Sequence, residues 1–102
     1  MLAYRYRIAR SVPFPESEAS FCAAILAVEI LHGATQVRLD ARHTADPRDR
    51  TWLVHADTEV GRNLNRLFAG LLASRLGESS FRVERLDVTT PPRTPRSQEV
   101  AA

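Results

Sequence analysis

Two carboxylates and two histidines in the middle of the chain are the side chains best suited to chemistry. Asp40, His43, His55 and Asp57 lie close together in the sequence. A carboxylate that faces a histidine can orient it as a general base, and the same groups can bind a metal ion. The period of two along a strand, however, places His43 on the opposite face from Asp40. The pattern therefore favours cross-strand ion pairs over a catalytic or metal site, and we predict no cofactor.

Arginines supply the second kind of chemistry. All 14 basic side chains other than the histidines are arginine, and the chain has no lysine. Guanidinium groups make planar, bidentate contacts to phosphate and carboxylate groups. The codon bias of a GC-rich genome produces the same composition, and we favour that explanation. The net charge of +2 is too small to imply a nucleic-acid partner unless the charge is clustered.

Cys22 is the only cysteine, which excludes an internal disulfide and a cysteine-rich zinc site. It lies beside Phe21 in an apolar run that extends to Leu31, where a thiol is usually inert. No activated nucleophile stands out, so we expect a non-enzymatic protein, with the cytoplasm as its compartment. No apolar run approaches the roughly 20 residues that span a bilayer, so no membrane partner is expected.

The elements that must position these residues alternate between strand and helix patterns. Apolar and polar residues alternate over 2–10, 35–43, 51–57 and 80–86, which predicts four strands. Apolar spacing of three and four predicts helices near 15–32 and 58–76, and residues 44–49 predict a turn. Residues 89–102 contain three prolines and no aromatic residue, which predicts a disordered tail.

The predicted order is strand, helix, strand, strand, helix, strand over residues 1–88. Two right-handed β-α-β units joined by a hairpin give an α+β domain of ferredoxin-like βαββαβ topology. Its sheet has four antiparallel strands, with the first and third strands in the centre and both helices on one face. This architecture supports many unrelated functions, so it says little about function.

The second predicted helix has clear ends but an unusual interior. Asp57 or Thr58 can accept hydrogen bonds from its first free amides, and Gly77 can end it. Gly61 and Gly70 lie inside the helix, where each costs about 1 kcal/mol relative to alanine. We interpret both glycines as places where another backbone comes close.

The sheet face that the helices leave uncovered is predicted to be charged. If the 44–49 turn closes the hairpin, Asp40 faces His55 and Arg38 faces Asp57. Arginines on such a face can bind phosphate and stack on bases, so single-stranded nucleic-acid binding is the alternative function. The tyrosines point inward, however, which removes the aromatic platform of RNA-binding sheets. The predicted open-face residues are Arg5, Arg7, Arg38, Asp40, Arg42, His55 and Arg82.

The first helix is apolar nearly all round, since Glu29 is the only charge between Phe21 and Leu31. If one stripe packs on the sheet, Leu26 and Ile30 fall on the far side of the helix. Exposed apolar surface of this kind is usually covered by another chain, most often by a second copy in a two-fold dimer. We predict a homodimer or a protein partner through Cys22, Leu26 and Ile30. The alternative is that Leu26 only packs on the second helix.

Overall fold

The computed structural model describes residues 1–87, which form four strands and three helices. The predicted tail, residues 89–102, lies outside the described residues. A short 3₁₀ turn at Glu78–Ser80 precedes the last strand. In chain order the elements are β1 (Leu2–Ile8), α1 (Phe14–His32), α2 (Ala34–Asp40), β2 (His43–Asp46), β3 (Thr51–His55), α3 (Glu59–Leu76) and β4 (Phe81–Asp87).

The four strands form one antiparallel sheet in the order β2-β3-β1-β4, so β1 and β3 are central. Both long helices pack on the same face of this sheet. The Phe21 ring of α1 lies 4.4 Å from Trp52, and the Phe68 ring of α3 lies 4.8 Å from Tyr6. The core therefore fills the space between the two layers, and neither long helix covers the other sheet face.

Most predicted inward residues are buried. Tyr6, Ile8, Trp52 and Val54 are in the core, as the alternation in their strands predicts. The alternation over 80–86 also places Val83 on the inner face, but Val83 is 44% exposed on the edge strand β4. An edge strand has a neighbour on one side only, so the helices cover less of it.

The strand predicted at 35–43 is wrong, because this segment is mostly the helix α2. Gly33 has φ +87°, a conformation that favours glycine, and there the chain turns by 117° between α1 and α2. Val37 and Ala41 are four residues apart and both face the core, which a strand period and a helix period allow equally. Leu39 distinguishes the two, since it is 68% exposed and not inward.

The hairpin strand β2 therefore comes later than predicted, and its register differs. Thr44 lies opposite Leu53, and Asp46 lies opposite Thr51. The turn comprises residues 47–50 instead of 44–49. All four residues of β2 are exposed, so this strand has no apolar pattern that a sequence could reveal.

Arg50 attaches the hairpin to the end of β1. Its backbone has φ +58°, a strained conformation for a residue other than glycine. The guanidinium group donates hydrogen bonds to the carbonyl oxygens of Ile8, Ala9 and Val12, and the Arg50 carbonyl accepts from the Ile8 amide at 2.8 Å. These contacts offset the strain, so the arginine acts as a structural clamp.

Tyr6 links the sheet to α3. Its hydroxyl donates to the side-chain and backbone oxygens of Asn65, and its ring is fully buried. Burial, and to a lesser degree the nearby Tyr4 hydroxyl, raises the pKa of the Tyr6 hydroxyl well above its usual value. The neutral phenol is therefore the form that the folded state requires.

We expect the free energy of unfolding to fall as the pH rises above about 10. The unfolded chain loses the Tyr6 proton near the ordinary tyrosine pKa of about 10, whereas the folded chain keeps it. A difference of one proton lowers stability by up to about 1.4 kcal/mol per pH unit. Urea unfolding followed by Trp52 fluorescence between pH 8 and pH 11 measures this slope.

Tyr6→Phe should flatten this dependence and lower stability at neutral pH by about 1 kcal/mol, because the bond to Asn65 is lost. Tyr4→Phe, at a half-buried ring on the same strand, is the matched control. An identical alkaline slope in wild type and Tyr6→Phe would contradict this assignment.

Candidate functional site

The predicted pair of Asp40 and His55 does not exist. Asp40 ends α2, where its carboxylate accepts a hydrogen bond from Gln36 Nε2 at 2.5 Å. His55 lies on β3 opposite Ala3, and its Nδ1 is buried without a hydrogen-bond partner among residues 1–87. The histidine thus lacks the carboxylate that would orient it as a base. The prediction is wrong because it required Asp40 to lie on a strand beside β3, whereas Asp40 lies on the helix α2.

Asp57 has a structural partner of its own. Its Oδ1 accepts a hydrogen bond from the amide of Leu2 at 2.7 Å, so the first amide of β1 has a hydrogen-bond partner. Arg38, its predicted partner, is exposed on α2. Within residues 1–87, no group of three or more His, Cys, Asp and Glu side chains is placed to hold a metal ion.

The open sheet face is smaller and less basic than predicted. Arg5, Arg7, His55 and Arg82 lie on it, but Arg38, Asp40 and Arg42 do not, because they belong to α2 and its connection to β2. The register gives this face no aromatic side chain. Its members are Ala3, Arg5, Arg7, Thr44, Asp46, Thr51, Leu53, His55, Arg82, Glu84 and Leu86.

Two neighbouring residue pairs between β1 and β4, which we name rungs, differ in charge on this face. Arg5 lies opposite Glu84, and their side chains form an ion pair at 3.2 Å. On the next open-face rung, Arg7 lies directly opposite Arg82. Like charges opposite each other destabilise a sheet, whereas opposite charges stabilise it. Neither Arg7 nor Arg82 has a hydrogen bond or ion pair to another side chain within residues 1–87.

The Arg7–Arg82 rung borders a cavity at the end of the sheet, which we name the arginine cavity. It forms where the end of β1 meets the starts of β3 and β4, and its volume is about 380 Å³. Its charged lining residues are Arg7, Arg10, Arg48, Asp49, Arg50 and Arg82.

Three of these arginines, Arg10, Arg48 and Arg50, were not among the predicted site residues. A signal for them does exist in the sequence. In the predicted topology the end of the first strand and the starts of the third and fourth strands meet at one end of the sheet. Arg10 ends the predicted first strand, and Arg48 and Arg50 precede the predicted third strand.

The other candidate surface is the outer face of α1, which we define as Ala19, Cys22, Ala23, Leu26 and Ile30. All five side chains are exposed, with Leu26 at 61% and Ile30 at 85%. Cys22, Leu26 and Ile30 follow each other at intervals of four, so they form one stripe along the helix. Leu26 is therefore mainly exposed, and the predicted interface residues share one exposed surface.

Exposed apolar side chains concentrate in α1 and α2. Six large hydrophobic residues within 1–87 are exposed, and four of them lie between positions 26 and 39. Besides Leu26 and Ile30, these are Leu31 and Leu39, each 68% exposed. Isolated exposed apolar residues are normal on a protein surface, but a concentration of this kind indicates a contact surface.

The charged side chains of α1 are all acidic, and they lie near both ends of the helix. Glu16 and Glu18 lie in its first turns and Glu29 near its end, while the helix has no arginine. The first arginine after α1 is the exposed Arg38 in α2. The surface thus has an acidic end at the start of α1 and a basic side chain beyond its other end.

No single helix within residues 1–87 is long and apolar enough to cross a membrane. Comparisons with protein-family models, with curated proteins and with solved structures find no match for this chain.

Proposed function

We propose that this protein is a non-enzymatic assembly module that forms a two-fold homodimer through the outer face of α1. One observation carries the proposal, namely the exposed stripe of Cys22, Leu26 and Ile30 on a helix whose opposite side is buried. The sheet and α3 already occupy that opposite side, so no element within residues 1–87 covers the stripe, and we propose that a second chain does.

The spacing of the stripe suits a second copy of the same chain. In an antiparallel helix pair with its two-fold axis beside Leu26, Cys22 of one copy lies near the partner's Ile30, and the reverse contact is identical. A two-fold interface requires this self-complementarity. Ala19 and Ala23 flank the stripe, and their small side chains let the two helices approach closely.

Charge supports the antiparallel arrangement. It brings Glu16 and Glu18 at the start of one α1 towards the end of the other, where Arg38 follows in α2. The acidic starts of the two helices are then far apart, and the two helix dipoles oppose each other favourably. A parallel pair would instead place the two acidic ends side by side.

The size of the face sets the expected affinity. Ala19 to Ile30 extends about 16 Å along the helix axis. An interface built on this one face is at or below the lower limit of about 1,200 Å² for stable complexes. We therefore expect a dissociation constant in the micromolar range, about 1–100 μM.

Light scattering and sedimentation of the full chain under reducing conditions test this proposal. We expect the mass to rise from monomer to dimer over roughly 1–500 μM, the range set by the expected affinity. A monomer throughout this range would exclude self-association. Association that continues beyond a dimer would exclude the two-fold arrangement.

We further propose that residues 1–87 have the ferredoxin-like topology. The strand order β2-β3-β1-β4, the antiparallel pairing and the placement of α1 and α3 on one face support it. The helix α2 is then an insertion between the first long helix and the hairpin.

Single-stranded nucleic-acid binding on the open face is the second candidate function. The unpaired arginine rung at Arg7 and Arg82 favours it. Arg5 contributes less, because Glu84 neutralises it.

For a strand that contacts Z phosphates, log affinity should fall with log salt with a slope near −0.7Z. Arg5→Glu with Arg7→Glu should abolish the binding, and binding that survives this change would exclude the open face.

A further inference from the structure

The arginine cavity concentrates positive charge that the fold itself does not use. Its lining carries a formal charge of +4, from five arginines and one aspartate, whereas the whole chain carries +2. Only Arg50 is engaged structurally, through its bonds to the carbonyls after β1. The guanidinium groups of Arg7, Arg10, Arg48 and Arg82 have no hydrogen bond or ion pair to residues within 1–87.

The sheet register shows that this charge is costly in the absence of an anion. Arg7 and Arg82 face each other, although the adjacent rung, Arg5 with Glu84, has the opposite-charge pairing that a sheet favours. A glutamate at position 82 would produce the same stabilising pair. An anion bound beside this rung would remove the repulsion between the two guanidinium groups.

We propose that the arginine cavity binds clustered phosphate groups, either in a small polyphosphate or in a nucleic-acid backbone. Four guanidinium groups that are unpaired within residues 1–87 offer more charge-assisted donors than a single carboxylate can accept, whereas linked phosphates supply several anionic oxygens close together. A volume of about 380 Å³ is near the lower end for small-molecule sites, about 300–1,000 Å³, and admits a di- or triphosphate.

The floor of the cavity is fixed before a ligand binds. Arg50 holds the chain after β1, and the amide of Ala9 donates to the carbonyl of Ser80 at 2.8 Å, which joins that chain to the start of β4. The backbones that carry Arg7, Arg10 and Arg82 are therefore tied together. Binding then requires ordering of side chains only, which lowers its entropic cost.

Isothermal titration calorimetry of the full chain at low salt tests the proposal with sodium tripolyphosphate and with a 12-nucleotide oligothymidylate as probes. Arg7→Gln and Arg82→Gln should each weaken binding by about tenfold or more, the usual effect of removing a hydrogen bond to a charged group. Arg66→Gln is the control, since it makes the same charge change on α3, outside both the cavity and the open face. It should bind as the wild type does.

Thermal unfolding adds a second readout. Without a probe, Arg82→Gln should melt at or above the wild-type temperature, because it removes a like-charge contact. Tripolyphosphate should raise the melting temperature of the wild type but not that of the Arg7→Gln, Arg82→Gln double variant.

The two probes separate the sources of phosphate. Binding of tripolyphosphate assigns the cavity to a small polyphosphate, and binding of the oligonucleotide alone assigns it to a nucleic-acid backbone. If neither probe binds, or if Arg66→Gln weakens binding as much as the cavity variants do, the proposal is overturned. It does not depend on self-association, since Leu26→Glu should bind either probe unchanged.

Discussion

Replacing Leu26 or Ile30 by glutamate should convert the associated protein into a monomer at concentrations where the wild type is a dimer. Both side chains are mainly exposed in the single chain. In the proposed interface Leu26 lies at the two-fold axis and Ile30 lies near the second copy's Cys22. The substitution removes apolar area that association buries and places a carboxylate against an apolar surface. Because neither side chain supports the core, the variants should fold as the wild type does.

The expected effect is large because two-fold symmetry repeats every change. Burial of a leucine or isoleucine contributes about 1.5–3 kcal/mol, and the exposed fractions of Leu26 and Ile30 reduce this to about 1–2 kcal/mol each. A single substitution therefore removes about 2–4 kcal/mol per dimer, before the cost of the buried carboxylate. At 1.4 kcal/mol per tenfold change, the dissociation constant should rise by at least about 30-fold.

Arg66→Gln on α3 is the charge-matched control, since it also lowers the net charge by one and lies outside α1. Cys22 offers a readout specific to this face. Its thiol is exposed in the single chain, so a maleimide should react with it quickly at low protein concentration and slowly where the dimer forms. A wild-type dimer whose Cys22 stays fully reactive would show that another surface mediates association.

The sequence predicts the long elements well because they combine strong periodicity with defined ends. The helix α3 begins one residue after the predicted start and has its predicted cap, since Thr58 Oγ1 accepts from the amide of Gly61 at 3.0 Å. The outer face of α1 was also predictable. An apolar helix in a two-layer structure has one side that the rest of the chain does not reach.

The segment from 34 to 46 was not predictable by periodicity. Seven residues are too few to separate a strand from a helix when the buried positions, Val37 and Ala41, fit both periods. The true strand β2 is exposed along its length, so tertiary pairing with β3 and not burial defines it. Since Asp40 and Arg38 were assigned through this segment, the predicted pairs with His55 and Asp57 were wrong for the same reason.

The two glycines of α3 should respond in opposite directions to alanine. A Cβ atom at Gly61 would lie 2.3 Å from the carbonyl oxygen of His55, because the first turn of α3 packs against the end of β3. A backbone atom cannot move aside as a flexible side chain does. The interpretation of Gly61 as a place of close backbone approach is therefore confirmed. For Gly70 it is wrong, since a Cβ there meets no atom within 4 Å.

We expect Gly61→Ala to destabilise the fold by about 2–3 kcal/mol, the usual cost of overpacking at a rigid site. In a domain of this size that corresponds to a loss of roughly 10–20 °C in melting temperature. Gly70→Ala should instead stabilise the fold by about 0.5–1 kcal/mol, because alanine restricts the unfolded chain and favours the helix. Thermal and urea unfolding of the two variants measure both effects with the same chemical change on the same helix.

Equal melting temperatures for the two variants would show that α3 does not approach β3 as closely as the His55 carbonyl contact requires.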